Sequence, residues 1–514
     1  MLRPLVLLLA FAGLTWADVR LPAVIGSNMV LQREQPLPIW GWADAGEEVT
    51  VALGENKATT KADDAGKWMV KLAPMKSGGE PLEMTVAGKN SIKLTNILVG
   101  EVWLGSGQSN MQMTVSGSAN GPQEVAAANF PKIRLFSVPL VPSGTPAGDV
   151  VSSWKECSPA NISGFSAVAY YFGRELHQNL DGVPIGLINS SWGGTKIEPW
   201  IPPAGFASQS ELSRERDIVQ QARANYQKTL LAGASQLRAW LAAVDQAKGA
   251  GQDIPDPPTF PAHPLNSNGA PTGLYNGMIH PLAPFALRGV LWYQGESNNG
   301  AGMHYHTLMK GLIQGWRTVW AQGDFPFLFV QLAPFRYGAN ETALAEIWEA
   351  QTATLSVPNT GMAVTTDIST VRDIHPPNKQ DVGRRLALWA LAKTYGKTGV
   401  VHSGPLYESS SIELDEVLIK FQHAEGGLVS RDKNPLTWFT IAGEDKKFHP
   451  ATATIVGSEV KVRSPMVSAP VAVRFGWNQI AEPNLANKAG LPASPFRTDK
   501  WDDSAVPTFP GEKK

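Results

Sequence analysis

Ile97-Leu98-Val99-Gly100-Glu101-Val102-Trp103-Leu104 runs directly into Gly105-Ser106-Gly107-Gln108-Ser109-Asn110-Met111. The apolar run reads as a buried strand, and the glycines that follow let the backbone turn sharply without a Cβ clash. Open parallel sheets form their ligand crevices beyond the carboxyl ends of their strands, so this turn presents Ser109 where a nucleophile would stand.

Similar junctions recur downstream. Strand-like runs at 184–189, 289–293, 327–332 and 362–366 alternate with helix-period segments, the pattern of a parallel sheet covered by helices. Phe165, Val168, Phe172 and Leu176 mark one such helix, with Ser163 as its expected cap, and 379–393 reads as another. The five strands predict an α/β fold, a doubly wound parallel sheet built from 97–200 and 271–397.

The flanking segments follow another pattern. Short alternating runs such as 48–53 and 68–72, separated by Gly, Pro and Asp, predict an N-terminal β-sandwich over 18–96. A charged, alanine-rich helix at 214–248 and a proline-rich stretch at 253–258 predict a helical insertion over 201–270, either a wall of the crevice or a surface hairpin. Alternation returns in a C-terminal β-sandwich-like region, 398–480, and 481–514 reads as a surface tail. Residues 1–17 carry Arg3, an apolar core and a small-residue end at Thr15-Trp16-Ala17, the pattern of a signal peptide too short to span a bilayer. Export is expected, to the periplasm or outside the cell.

Bulk properties narrow the function. With 43% hydrophobic residues the 514-residue chain has ample core, and a net charge of −1 gives no footprint for nucleic acid or an anionic membrane. Cys157 is the sole cysteine, so no intrachain disulfide can form, and its neighbours include no histidine to activate it. It reads as a packed thiol.

A serine hydroxyl needs a base to take its proton and usually a carboxylate to orient that base. Of nine histidines, His304 and His306 diverge on a helix, whereas His375 follows the 362–366 strand in Arg372-Asp373-Ile374-His375-Pro376-Pro377. Its prolines forbid helix and stiffen the loop. Two further strand ends offer donors for an oxyanion: Ser190-Ser191-Trp192-Gly193-Gly194-Thr195, and Trp292-Tyr293-Gln294-Gly295-Glu296-Ser297-Asn298. The chain shows no Cys/His metal cluster, P-loop or dinucleotide fingerprint, so no metal or organic cofactor is expected.

Taken together, Gly107-Gln108-Ser109-Asn110-Met111, Ser191-Trp192-Gly193-Gly194-Thr195 with Ile197-Glu198-Pro199-Trp200, Tyr293-Gln294-Gly295-Glu296-Ser297-Asn298 and Asp373-Ile374-His375-Pro376 resemble the SGNH hydrolases, and closely their sialate O-acetylesterase-like branch. The resemblance covers about 19–477. It implies a flavodoxin-like sheet and removal of O-acetyl groups from a carbohydrate, with Ser109 as nucleophile and His375 as general base. It also implies oxyanion donors at the N–H groups of Ser109 and Gly194 (or Gly193) and at the Gln294 side chain.

One departure stands out, because many SGNH enzymes place the acid three residues before the histidine, where this chain has Arg372. Asp373 is the first candidate for the orienting carboxylate and Glu296 its competitor. Asn110, Trp192, Trp200 and Asn298 are the candidate substrate contacts, with Trp292 nearby, since indole faces stack on sugar rings. The expected partner is an acetylated glycan, of xyloglucan or xylan type or an O-acetylated sialic acid, with oligomeric state left open. The rival reading is a non-catalytic carbohydrate-binding protein on a hydrolase scaffold. The intact serine, histidine and donor loops argue against it.

Overall fold

The computed structural model describes residues 18–78, 80–369 and 371–501. The predicted signal peptide and the last 13 residues of the predicted tail lie outside the described residues.

Among the described residues six short strands come first, β1 (Val30–Gln32), β2 (Leu37–Trp42), β3 (Glu48–Leu53), β4 (Asn56–Lys61), β5 (Lys67–Leu72) and β6 (Leu82–Ala87), followed by the long β7 (Ser91–Gly107). Alternation in β3 and β5 buries Val49, Val51, Leu53 and Trp68, Val70, Leu72 on one face of each strand, as a half-solvated antiparallel sheet requires. β2 pairs β5, while β4, β3, β6 and the first part of β7 form a second antiparallel sheet, giving a sandwich-like unit.

β7 does not stop at the expected boundary between 96 and 97. Its first residues pair antiparallel with β6, and from Trp103 to Gly107 it pairs parallel with β11 (Gly289–Tyr293). One strand therefore belongs to both units. The apolar run was legible, but its continuity with the polar, alternating Ser91–Asn96 was not, because a strand changes its pattern when one of its faces becomes covered.

The central sheet continues with β8 (Phe130–Ser137), β9 (Lys155–Cys157), β10 (Ile185–Ser191), β12 (Phe327–Val330) and β13 (Thr360–Ala363). Its order is β13-β12-β11-β7-β10-β8-β9. Without β8 and β9 this is the flavodoxin-like order 2-1-3-4-5; β8 adds a parallel strand beside β10, and β9 an antiparallel edge strand beyond it. Strand order reverses between β7 and β11, the switch point at which doubly wound sheets open their crevice.

Two details of the sequence reading change. The helix predicted from Ser163 runs Ala167–Asn179, and its cap is Ser166, whose Oγ accepts from the Ala169 N–H. Residues 481–501 are not a surface tail. Strands Leu485–Asn487 and Phe496–Arg497 pair with earlier strands, and Phe496 stacks on Tyr407 at 4.8 Å. Buried Asn484 and Asn487 find backbone partners, which lets a Pro- and Asn-rich segment lie inside.

Helix Ser213–Ala250 stands where the insertion was expected, and Trp240 Nε1 donates to the Pro255 carbonyl, folding the proline-rich stretch back along it. Cys157 is buried, and burial pushes its thiol up to about 12.

Gly107 has φ +135°, and a Cβ there would stand 2.2 Å from the Tyr293 carbonyl oxygen. Gly107→Ala should lower Tm by about 5 °C or more, since strain of ~1–3 kcal/mol adds to the clash. Thermal denaturation checks this; an unchanged Tm would show that the ends of β7 and β11 tolerate separation.

Candidate active site

Ser109 opens the short helix Ser109–Gln112 just beyond β7, and His375 lies between β13 and helix Lys379–Trp389. The switch point brings them together. The Ser109 hydroxyl lies 2.8 Å from His375 Nε2, a hydrogen bond across 266 residues of sequence.

Asp373 approaches the other side of the ring. Its Oδ1 accepts from the His375 backbone N–H at 2.9 Å and stands 3.9 Å from Nδ1, close enough for an ion pair with the imidazolium and too far for a hydrogen bond. Glu296 is engaged elsewhere: its Oε1 accepts from Asn110 Nδ2 at 2.5 Å, and its Oε2 is buried with no protein partner.

The other two strand ends close around the serine. A Cβ on Gly193 would stand 3.2 Å from the Ser109 Cβ, so glycine is what lets this loop approach. The Gly193 N–H donates to Gln112 Oε1 at 2.8 Å, which takes it out of use as an oxyanion donor. Gly194, exposed and at φ +73°, is the remaining glycine of the pair. Ser109, as the first helical residue, has an N–H with no acceptor inside its helix.

Gln294 departs from expectation. It is fully buried, and its side-chain NH₂ is shared among Gln108 Oε1, the Thr195 carbonyl and Asn298 Oδ1, while Tyr305 donates to its Oε1. A side-chain donor so committed does not reach an oxyanion; Gln294 instead ties the 108, 195 and 298 turns together.

Three of the expected substrate contacts are also internal. Asn110 and Asn298 are buried and hydrogen-bonded within the protein. Trp200 is buried too, and makes an edge-to-face chain with Trp292 and Trp316 at 6.2 Å spacings. A buried Trp covers roughly 150–250 Å², about 4–6 kcal/mol of apolar burial as an upper bound, so these indoles serve the core. Trp192 is half-buried and keeps surface beside the serine turn.

Lys379 was not singled out from the sequence. It is fully buried, donates through Nζ to Asn110 Oδ1 at 2.5 Å, and lies 5.1 Å from the Tyr293 ring centroid. Asn110 also donates to the Ile374 carbonyl at 2.9 Å, one residue before His375. Glu296, Asn110 and Lys379 thus form a buried chain that pins the histidine loop to the serine turn. Its sequence signal was slight: a lysine four residues after His375, at the start of an amphipathic helix, where a solvated charge is the ordinary reading.

Burial governs the electrostatics. It raises Glu296 above the usual carboxylate range, opposed by the Asn110 hydrogen bond and the Lys379 charge. It lowers Lys379 to about 7, with Glu296 and Asp373 pulling back upward. His375 is held below its ordinary value by partial burial, against the upward pull of Asp373 and with a downward push from Lys379. Among the described residues no group of three or more His, Cys, Asp or Glu is arranged to hold a metal ion, and no helix is long and apolar enough to cross a membrane.

Comparison with known proteins gives a consistent answer. The family described as carbohydrate esterase, sialic acid-specific acetylesterase, matches residues 265–391. Sialate O-acetylesterase of Rattus norvegicus is 32% identical over 503 residues, covering 89% of each chain, and that of Homo sapiens is 30% identical with 96% of each covered. The crystal structure of a carbohydrate acetylesterase from Xanthomonas citri superposes with a TM-score of 0.80 at 38% identity, covering 94% of this chain and all of the other.

His375 should titrate below 6.5 in an NMR titration of the imidazole. Asp373→Asn should move it further down, because a carboxylate that favours the imidazolium is lost; Lys379→Met should move it up, because a repelling charge is lost. Shifts of the opposite sign would refute this account of the site.

Proposed function

Because the chain belongs to the sialate O-acetylesterase family of carbohydrate esterases and is a carbohydrate O-acetylesterase, we propose that it cleaves the acetyl ester through an acetyl-enzyme at Ser109. The observation that carries this is the 2.8 Å contact between the Ser109 hydroxyl and His375 Nε2 at the sheet's switch point.

In this mechanism neutral His375 takes the Ser109 proton as Oγ attacks the acetyl carbonyl. The oxyanion that forms is held by the N–H groups of Ser109 and Gly194, each donor of this kind being worth about 10²–10³ in kcat. The imidazolium gives its proton to the sugar oxygen, which leaves as a hydroxyl. Water, deprotonated by the same histidine, then attacks the acetyl-enzyme and releases acetate and Ser109. Asp373, which draws His375 toward the charged form, is the orienting carboxylate. Because His375 must be neutral to act, activity extends below pH 6.5 before its protonation halts the first step.

The substrate is an O-acetylated glycan, either an acetylated polysaccharide of xyloglucan or xylan type or an O-acetylated sialic acid, for which the mammalian relatives are named. Residues 1–17 would direct export, and the β units before and after the sheet are accessory domains.

Ser109→Ala should lower acetate release from an aryl acetate by at least about 10⁴-fold. Asp373→Asn should lower kcat by about 10²-fold and Glu296→Gln by less; the reverse ranking would assign the orienting role to Glu296. Acetate release across acetylated xyloglucan, xylan, pectin and sialoglycans ranks the substrates. Glycan binding without acetate release by the wild type would favour the non-catalytic reading.

A further inference from the structure

A second concave surface lies between the N-terminal β unit and the central body. Register places Trp40 opposite Met69 and Trp42 opposite Lys67 on the outer face of the β2–β5 pair. That face ordinarily carries polar residues, yet both indoles are half-buried and Met69 is 43% exposed. Here they border a cleft of about 390 Å³, within the ~300–1,000 Å³ range of small-ligand sites. Lys61 and Asp63 stand on the same side, and Gly148, His280 and Ala283 form the far wall.

The site is built rather than accidental in its rigid parts. The Arg20 guanidinium sits 5.4 Å from the Trp42 ring centroid, and a Cβ on Gly148 would come within 3.3 Å of the same indole, so the ring is fixed by neighbours on two sides. His280 is held by a 2.8 Å hydrogen bond between its Nδ1 and the Ala147 carbonyl. Asp63 Oδ1 closes its own turn on the Ala65 and Lys67 amides.

None of these residues belongs to the Ser109–His375 network. His280 and Ala283 come from the segment that leads into the start of β11, whereas Ser109 and the Gln294 turn follow the ends of β7 and β11. A ligand in the cleft therefore lies toward the opposite end of β11 from Ser109.

We infer that the Trp40–Trp42 cleft is a non-catalytic binding site for a stretch of neutral polysaccharide, holding the polymer whose acetyl groups the enzyme removes. The inference rests on the polysaccharide reading given above. Trp40, the part of Trp42 left uncovered by Arg20 and Gly148, and Met69 offer apolar area on which the C–H faces of a pyranose pack, and Lys61, Asp63, Lys67 and His280 offer both donors and acceptors for its hydroxyls. Lys61 and Lys67 against Asp63 leave the lining only weakly positive, so ring faces and hydroxyl contacts, more than charge, decide what it holds. Two sites on one chain raise the effective concentration of polymer at Ser109 with no change in the chemistry there.

Electrophoresis through native gels containing xyloglucan or xylan tests this. The wild type should be retarded by at least one of them, and Ser109→Ala should be retarded equally, so binding is read apart from catalysis. Trp40→Ala, and separately the surface variant Met69→Asp, should weaken retardation about tenfold or more in apparent Kd while leaving aryl acetate hydrolysis unchanged, which also reports that they fold. On acetylated polymer the same variants should raise KM. Unretarded wild type, variants that bind as wild type, or retardation by polygalacturonate alone would each overturn the inference, whatever the fate of the Ser109 assignment.

Discussion

The parallel pairing of β7 with β11, closed at Gly107 against Tyr293, is the contact on which the rest of the site depends. A Cβ at Gly107 would collide with the Tyr293 carbonyl, so glycine is what allows the two strand ends to meet. Gln108 then receives Gln294 Nε2 and the Ser297 N–H on its Oε1, and Ser109 is delivered to the crevice in one orientation. Nothing at the surface could fix it as tightly, because loops held only by solvent-exposed hydrogen bonds open at little free-energy cost.

Below the reactive pair lies a layer of buried polar groups. Glu296, Asn110 and Lys379 are costly to bury singly, and removing one partner strands the others. Their arrangement explains why they are there: Asn110 touches the carboxylate, the ammonium and the Ile374 carbonyl at once. The chain joins three loops that are far apart in sequence. Its charge also reaches the histidine, since Lys379 and Asp373 push His375 in opposite directions.

The two β units differ in how they join the central sheet. The N-terminal unit shares β7 with it, so its packing is continuous with the strand that presents Ser109. The C-terminal unit has its own core around Val417, Ile419, Val460, Val462 and Phe475, completed by Leu485 and Phe496 from the last described residues. That arrangement gives the proline- and asparagine-rich end of the chain a structural role its composition does not suggest.

By itself the sequence determined which segments form the central strands and which polar turns follow them, with most strand ends shifted by two or three residues. Period, apolar runs and glycine are local signals, and they placed β11 at 289–293, the serine at the end of its strand and the histidine loop at 372–377, although the strand leading to the serine runs on through Gly107 where its glycines read as a turn from 105. The position of His375 at a strand end was legible for the same reason, and the fold brings its ring to Ser109; the choice between Asp373 and Glu296 as its partner was not legible, because it turns on loop geometry that no local pattern carries. Tertiary structure alone decided which polar side chains reach the surface of the crevice and which face inward. Gln294, Asn110, Asn298 and Trp200 read as site residues from their neighbours in sequence, but their burial is fixed by partners such as Tyr305, Lys379, Ile197 and Trp316, far along the chain or on another loop. Burial is a property of the assembled layers, and no local pattern encodes whether a polar group will meet water or another polar group.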